Sequence, residues 1–212
     1  TDTWPQRALF TTKSARFNGG SSDYLNRTQS SSTSDKTGTF STWIKLSTFS
    51  DALFSGHTDS NNRIALYFSD SLRIYGAISG SQSVYLITSQ LFRDPGAWYH
   101  IVVAWDTTQG TASNRFKVYV NGSQVTSFST ASYPSQNADV YWNKGTNLTV
   151  GARFVSSVSD YYNGYLTETI LVDGQQLAPT SFGVANSDGV WTPIPYTGTF
   201  GTNGFNLQFE NA

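Results

Sequence analysis

The side chains able to do acid–base or nucleophilic chemistry are few in this 212-residue chain. It has no cysteine, which excludes thiolate catalysis, disulfides and cysteine-bound zinc. Its glutamates are Glu168 and Glu210. Glycoside hydrolysis ordinarily needs two carboxylates flanking the scissile bond, one as acid and one as nucleophile or base. The acid nearest Glu168 along its own run is Asp173, and a spacing of five sets two side chains on opposite faces of a regular strand. No hydrolase is expected, and Glu168 is expected at a sheet edge, hydrogen-bonded or facing solvent. The histidines are His57 and His100, and no G-x-S-x-G elbow accompanies them, so nothing points to a Ser-His-Asp triad. His100, at the start of an apolar run and close to Trp98, is expected to be structural.

The other chemistry open to these residues is non-covalent. Sugars offer flat C–H faces and many hydroxyls, which aromatic platforms, amides and carboxylates can meet together. Tyr141-Trp142-Asn143-Lys144 and Asp160-Tyr161-Tyr162-Asn163 have that composition, in stretches expected to be loops. Tyr141, Trp142, Asn143, Asp160 and Tyr162 are therefore the candidate carbohydrate-binding residues. The alternative for each is that it covers an end of the fold or touches another subunit. Trp43, Trp98 and Trp105 fall within strands and are expected in the core.

The elements that must position these residues follow period two. Thr39–Leu46 (TFSTWIKL) alternates, with Phe40 and Thr42 on one face and Trp43 on the other. Arg63–Phe68, Leu72–Ile78 and Ser83–Thr88 are short, β-branched and aromatic, and are bounded by Ser, Asp, Asn or Gly. His100–Trp105 is apolar on both faces and predicts a central strand, with a turn at Asp94-Pro95-Gly96 before it. Phe116–Val120 and Ser123–Phe128 flank Asn121-Gly122, the strongest two-residue hairpin signal. Tyr165–Val172 would place Leu166, Glu168, Ile170 and Val172 on one face. Only Pro179–Gly183 could make a helical turn. Thr28–Thr37, Ser129–Thr146 and Phe154–Asn163 are expected loops, the first of them mobile, and long loops on rigid scaffolds often carry binding surfaces.

Composition narrows the function classes. Net charge is −1 and charged residues make up 13%, so no basic stripe is present to neutralise nucleic-acid phosphates. No apolar run approaches the ~20 residues that span a bilayer, so no membrane insertion is expected. Thr1–Gln6 lacks the charged-then-apolar layout of a secretory leader. Aromatic residues reach 15%, amid abundant Ser, Thr, Asn and Gly.

The ordered set SARFNGGSSDYL (14–25), TFSTWIKLS (39–47), FRDPGAWYHIVVAWDTTQGTASNRFKVYVNGSQVTSF (92–128), LTVGAR (148–153) and NGYLTETILVDGQQLAPTSFG (163–183) resembles a laminin-G/pentraxin-type, concanavalin A-like domain. DGQQLAPTSFG, then GVW at Gly189–Trp191 and YTGTFGTNGF at Tyr196–Phe205, is similar to such domains in bacteriophage virion proteins. The resemblance implies an all-β, two-sheet antiparallel jelly-roll sandwich over residues 1–187, with a short C-terminal extension over 188–212. Related glucanases carry E-x-D-x-E on one strand, and the wider superfamily often has G-x-I-D-[DE]-V. Here Gly164-Tyr165-Leu166-Thr167-Glu168-Thr169 puts Thr167 at the first acidic position. Relatives often bind Ca²⁺ through loop carboxylates, for which Asp59, Asp139 and Asp160 are candidates. No D-x-D pair is present, so no cofactor is expected and Ca²⁺ is not favoured.

The function implied is that of a non-enzymatic phage virion protein, on a tail fibre or capsid exterior. It would attach to surface glycans or to other virion subunits. The alternatives are a capsid decoration protein without glycan binding and a polysaccharide-degrading enzyme. Trp191, Ile194, Tyr196, Phe200, Phe205, Leu207 and Phe209 are too many apolar groups for a free tail. They must pack back on the sandwich or against a neighbour, and the second case implies a homo-oligomer, with a trimer as the expected form.

Overall fold

Alternating apolar and polar residues leave one side of each strand dry, and two such sides must be buried against each other. The computed structural model describes residues 13–47, 51–144 and 147–209. Its first strands are β1 (Ala15–Phe17), β2 (Leu25–Thr28), β3 (Thr37–Leu46), β4 (Asp51–Asp59), β5 (Asn62–Phe68) and β6 (Leu72–Ile78). Next come β7 (Ser81–Thr88), β8 (Trp98–Asp106), β9 (Phe116–Val120), β10 (Ser123–Gln124) and β11 (Phe128–Ser132). A one-turn helix, α1 (Tyr141–Lys144), precedes β12 (Asn147–Val150), β13 (Arg153–Phe154), β14 (Val158–Ser159) and β15 (Gly164–Asp173). The chain closes with β16 (Gly183–Ala185), β17 (Trp191–Pro193) and β18 (Phe205–Leu207). A 3₁₀ turn at Pro179–Ser181 supplies the expected helical turn, but α1 and 3₁₀ turns at Gly19–Ser21 and Ala112–Asn114 correct the expectation that it would be the only one.

Two seven-stranded antiparallel sheets form the expected all-β sandwich. The first runs β1-β15-β3-β8-β9-β10, with β18 also on β15, and the second runs β11-β7-β6-β5-β4-β12-β2. β8 is central, as its two-sided apolar pattern predicts. Asn121 and Gly122 take φ of 48° and 81°, the two positive values that a tight hairpin requires. The second arm is shorter than expected. After Val125, whose N–H still bonds Val118, the chain crosses to the other sheet, where Phe128–Ser132 pairs with β7.

Strand β15 corrects the one-face expectation. Its register against β3 shifts between Thr167 and Ile170, with Glu168 at φ 47° in the shift. A bulge inserts a residue and reverses the parity beyond it. Leu166 and Leu171 therefore both face the core between the sheets, while Ile170 and Val172 join a separate cluster with Val102 and Phe182. Glu168 is buried, not at an edge or in solvent. β1 and β18 share the edge of β15 end to end, on either side of this bulge.

The core is aromatic at its centre. Phe40 and Phe54 stack across the sheets with ring centroids 4.1 Å apart. Trp142 lies 5.5 Å from Phe54 and 5.2 Å from Trp105. Gly56 lets the Tyr141 carbonyl approach β4, and a Cβ at Gly38 would collide with the Trp105 ring. The Ser/Thr-rich loop after β2 is pinned rather than loose. Asp173 accepts N–H bonds from Thr33 at 2.7 Å and Ser34 at 3.1 Å, and Asn143 donates to the carbonyls of Ser34 and Thr37.

The C-terminal stretch packs on its own sandwich. β18 pairs with β15, β17 pairs with β16, and Tyr196 and Phe200 pack with Phe182 and Leu177 over Val102, Ile170 and Val172. A boundary at 187/188 would cut the β16–β17 hairpin. The anchor is Trp191, which a Cβ at either Gly122 or Gly183 would strike. Its indole N–H donates to Nδ1 of buried His100 at 2.8 Å, so the His100 proton sits on Nε2, 2.9 Å from Ser41 Oγ. Trp43 stacks on the same imidazole at 4.8 Å. Burial holds the His100 pKa down at about 3.

Two tryptophans reverse their expected places. Trp98 is 37% exposed at the start of β8, beyond the reach of the extension, whereas Trp142 is 0% exposed. Trp142→Ala should therefore cost about 3–5 kcal/mol in urea denaturation, as a buried aromatic truncation does. Trp98→Ala should cost under about 1 kcal/mol. Reversed costs would refute this assignment.

His100 also fixes a pH dependence. Between pH 6.5 and about 3 the unfolded chain binds a proton that native His100 refuses, so stability must fall as pH drops through that window. From pH 7.5 to 5 this one group should remove about 2 kcal/mol. Buried His57, whose pKa burial also lowers, acts in the same direction. His100→Gln should flatten this part of the profile, and an NMR titration placing His100 near 6.5 would contradict it.

Candidate functional site

The structure does not assemble the loop site expected from the sequence. Tyr141, Trp142 and Asn143 form helix α1 and face inward, and Tyr162 is 0% exposed with its hydroxyl donating to the Lys45 carbonyl at 2.9 Å. The expectation that these four contact a sugar is corrected. Sandwich ends must be plugged, and aromatic residues in end loops supply the area. Asn143 is engaged in holding the loop after β2. Asp160 alone of the five is exposed, in the left-handed region at φ 50°, and it pairs with Arg153 at 2.7 Å.

The other acidic candidates are engaged locally. Asp59 accepts the N–H groups of Asn61 and Asn62 at 2.7 and 3.0 Å, and Asp139 pairs with Lys36 and Lys144. Asp59 is held below the usual carboxylate range, first by its side-chain bond to Asn62. Among the described residues, no group of three or more His, Cys, Asp or Glu side chains is placed to hold a metal ion. Glu210 lies outside the described residues.

What the structure does assemble is a cleft of about 390 Å³ on the outer face of the second sheet, lined by residues that the loop reading missed. On β5, β6 and β7 the residues facing the core are Ile64, Leu66 and Phe68, Leu72 and Ile74, and Val84 and Leu86. Alternation then sends Arg63, Tyr67, Arg73, Tyr75 and Tyr85 outward. Cross-strand register sets Tyr67 beside Arg73 and Tyr75 beside Tyr85. The Tyr75 and Tyr85 rings meet edge to face at 5.7 Å. The β13–β14 hairpin packs against β4 and brings Arg153 and Asp160 to the rim.

The cleft is aromatic and positively charged. Arg63 lies over the Tyr75 ring at 5.8 Å and Arg153 over Tyr67 at 5.7 Å. Burial pushes the Tyr67 hydroxyl pKa up, so it stays a neutral donor. Three guanidiniums face one carboxylate in a chain whose net charge is −1. The arrangement can stack a flat apolar face on tyrosine rings and hydrogen-bond hydroxyls or an anion at their edges. The sequence signal was available as arginine and tyrosine on the polar phase of three consecutive strands.

A further row crosses the first sheet, where register aligns exposed Arg16, Tyr165 and Trp98 with half-buried Lys45 on four adjacent strands. Arg16 lies 5.4 Å from the Tyr165 ring centroid.

Comparison with known proteins gives the fold a context. The model of the concanavalin A-like lectin/glucanases superfamily matches residues 18–179. A search of curated proteins found no match. Among solved structures, the chain is similar to a heptameric SAP-like pentraxin from Limulus polyphemus, at 19% identity and TM-score 0.52 over 80% of this chain and 76% of that one. It is similar to a candidate carbohydrate-binding protein from Bacteroides ovatus, at 13% identity and TM-score 0.60 over 96% of this chain and 53% of that one. It is also similar to tailspike protein 2 of an Escherichia coli O157:H7 bacteriophage, at 14% identity and TM-score 0.53 over 79% of this chain and 23% of that one. The chain thus spans about half of the Bacteroides protein and about a quarter of the tailspike.

Proposed function

We propose that this chain, which belongs to the concanavalin A-like lectin/glucanase superfamily, is a non-enzymatic module that holds a glycan in the Tyr67–Tyr75–Tyr85 cleft. The observation that carries this reading is the cleft itself. Rings and guanidiniums alternate on rigid strands, and a site built on strands is positioned more precisely than one on loops. The superfamily includes lectins, and a fold shared with a candidate carbohydrate-binding protein is in keeping with the reading.

The setting proposed is the exterior of a phage virion, as part of a tail fibre or capsid. The resemblance over Asp173–Phe205 and the fold shared with a phage tailspike support it. A virion would present several copies, as a trimer or another symmetric oligomer, and linked sites gain about 10²–10⁴ in avidity without any new contact. A second reading is attachment to neighbouring virion subunits without glycan binding. The Arg16–Tyr165–Lys45–Trp98 row favours it, since aromatic and arginine side chains are enriched at protein interfaces.

On an array of bacterial surface polysaccharides the purified chain should bind selectively. Tyr75→Ala should weaken binding at least about ten-fold while leaving the unfolding free energy in urea within about 0.5 kcal/mol of wild type, and Trp98→Ala should leave binding unchanged. Release of reducing ends or unsaturated products from a bound polysaccharide would overturn the non-enzymatic reading. Absence of binding on the array, together with self-association lost in Trp98→Ala by light scattering, would favour the subunit-contact reading.

A further inference from the structure

The cleft's electrostatics specify its ligand more narrowly than an aromatic platform does. Arg153 has a carboxylate partner in Asp160, while Arg63 rests on the Tyr75 ring. Arg73 stands differently. It is half-buried on β6, set by register between Tyr67 and Ile87, and its Nε is buried with no hydrogen-bond partner. The Nε of Arg153 is likewise buried and without a partner. The buried Nε is closed to a ligand as it is to water, but the Arg73 side chain lines the cleft with no ion pair to a carboxylate among the described residues. A carboxylate is the acceptor whose two oxygens match a planar fork. Ser69 on the same wall supplies a hydroxyl.

We infer that the cleft recognises the carboxylate of an acidic sugar, with Arg73 as its anchor and the Tyr67 and Tyr75 rings beneath the sugar face. The inference rests on the glycan-binding reading above and names its substrate class. The shared chemistry is a ring-borne carboxylate, which uronic acids and sialic acids both provide. One acidic residue per repeat suffices, since the cleft presents two arginines beyond the one that Asp160 compensates.

The test is affinity electrophoresis and calorimetry at about 0.15 M salt, where non-specific long-range attraction is largely screened. The probes are polygalacturonate, alginate, hyaluronate and polysialate, each also after reduction of its carboxyl groups to alcohols, with dextran sulfate as a polyanion lacking carboxylates. The wild-type chain should bind at least one carboxylated polymer, and its carboxyl-reduced form at least about ten-fold more weakly. Arg73→Gln should lose at least about ten-fold toward the acidic polymer, and Arg73→Lys, which keeps the charge but not the fork, should fall between. Urea midpoints establish that each variant is folded. Which polymer binds separates the uronic-acid from the sialic-acid source. Equal binding of native and reduced polymer, or no change in Arg73→Gln, would overturn the inference and leave glycan binding standing. Dextran sulfate binding as tightly as the best carboxylated polymer, insensitive to Tyr75→Ala, would reduce the cleft to an ion exchanger and overturn it as well. Failure to bind any polymer, charged or reduced, would remove the inference along with the reading beneath it.

Discussion

One buried carboxylate ties together parts of the chain that the strand ladders leave separate. Asp173, at the end of β15, accepts the backbone N–H groups of Thr33, Ser34 and Asn203. Buried amides must find acceptors, and a carboxylate offers enough lone pairs to serve all three at once. Through Thr33 and Ser34 it fixes the loop after β2. That loop in turn presents the Ser34 carbonyl to Asn143, and so holds the helical turn that seats Trp142 in the core. Through Asn203 it fixes the return of the C-terminal stretch toward β18. Asn203 extends the same network to Ser30 through both its side-chain oxygen and its side-chain nitrogen.

The consequence for function is one of exposure. The C-terminal stretch covers much of the outer face of the first sheet, with Phe182, Tyr196 and Phe200 over Val102, Ile170 and Val172, and with Trp191 over His100. The covered part of that face is therefore dry, and His100 stays neutral because its ring is desolvated, with its Nδ1 lone pair already accepting the Trp191 N–H. On β5, β6 and β7 of the second sheet, the strand alternation that gives Ile64, Leu66 and Ile74 to the core gives arginine and tyrosine to the open side.

The two faces handle polar groups in opposite ways. At His100 every ring nitrogen has a partner, so the imidazole adds specificity to the docking of the extension at little electrostatic cost. In the cleft, the Nε atoms of Arg73 and Arg153 are withdrawn from water without protein acceptors, although Arg153 still pairs with Asp160 through a terminal nitrogen. The paired imidazole marks the docking of the extension as structural, although Trp43 Nε1 beside it is buried without a partner, while the cleft leaves its arginines facing outward.

Much of this fold was legible in the residues alone. Period-two runs with turn residues between them determine a two-sheet sandwich. Asn121-Gly122 determines a tight hairpin, because few residue pairs tolerate two positive φ values. The apolar pattern of His100–Trp105 determines a central strand. Strand β4 was hidden because Ser55, Gly56, His57 and Thr58 dilute its apolar pattern, although register places it between β5 and β12. Sequence distance also hid which aromatic residues would be plugs and which would be surface. Trp142 has the local signature of a loop residue, yet Asn143 and the distant Ser34 and Thr37 turn it inward. Trp98 has the signature of a core strand residue, yet the covering layer stops short of it. The bulge at Glu168, which inverts the faces of β15, follows from pairing with β3 and is invisible to alternation. Sequence determines the period of each strand, since that depends on neighbours one and two residues away. Tertiary structure alone decided which face the extension would close, and so which arginines and tyrosines were left to meet a ligand, because that depends on contacts between residues far apart in sequence, such as Trp191 with His100.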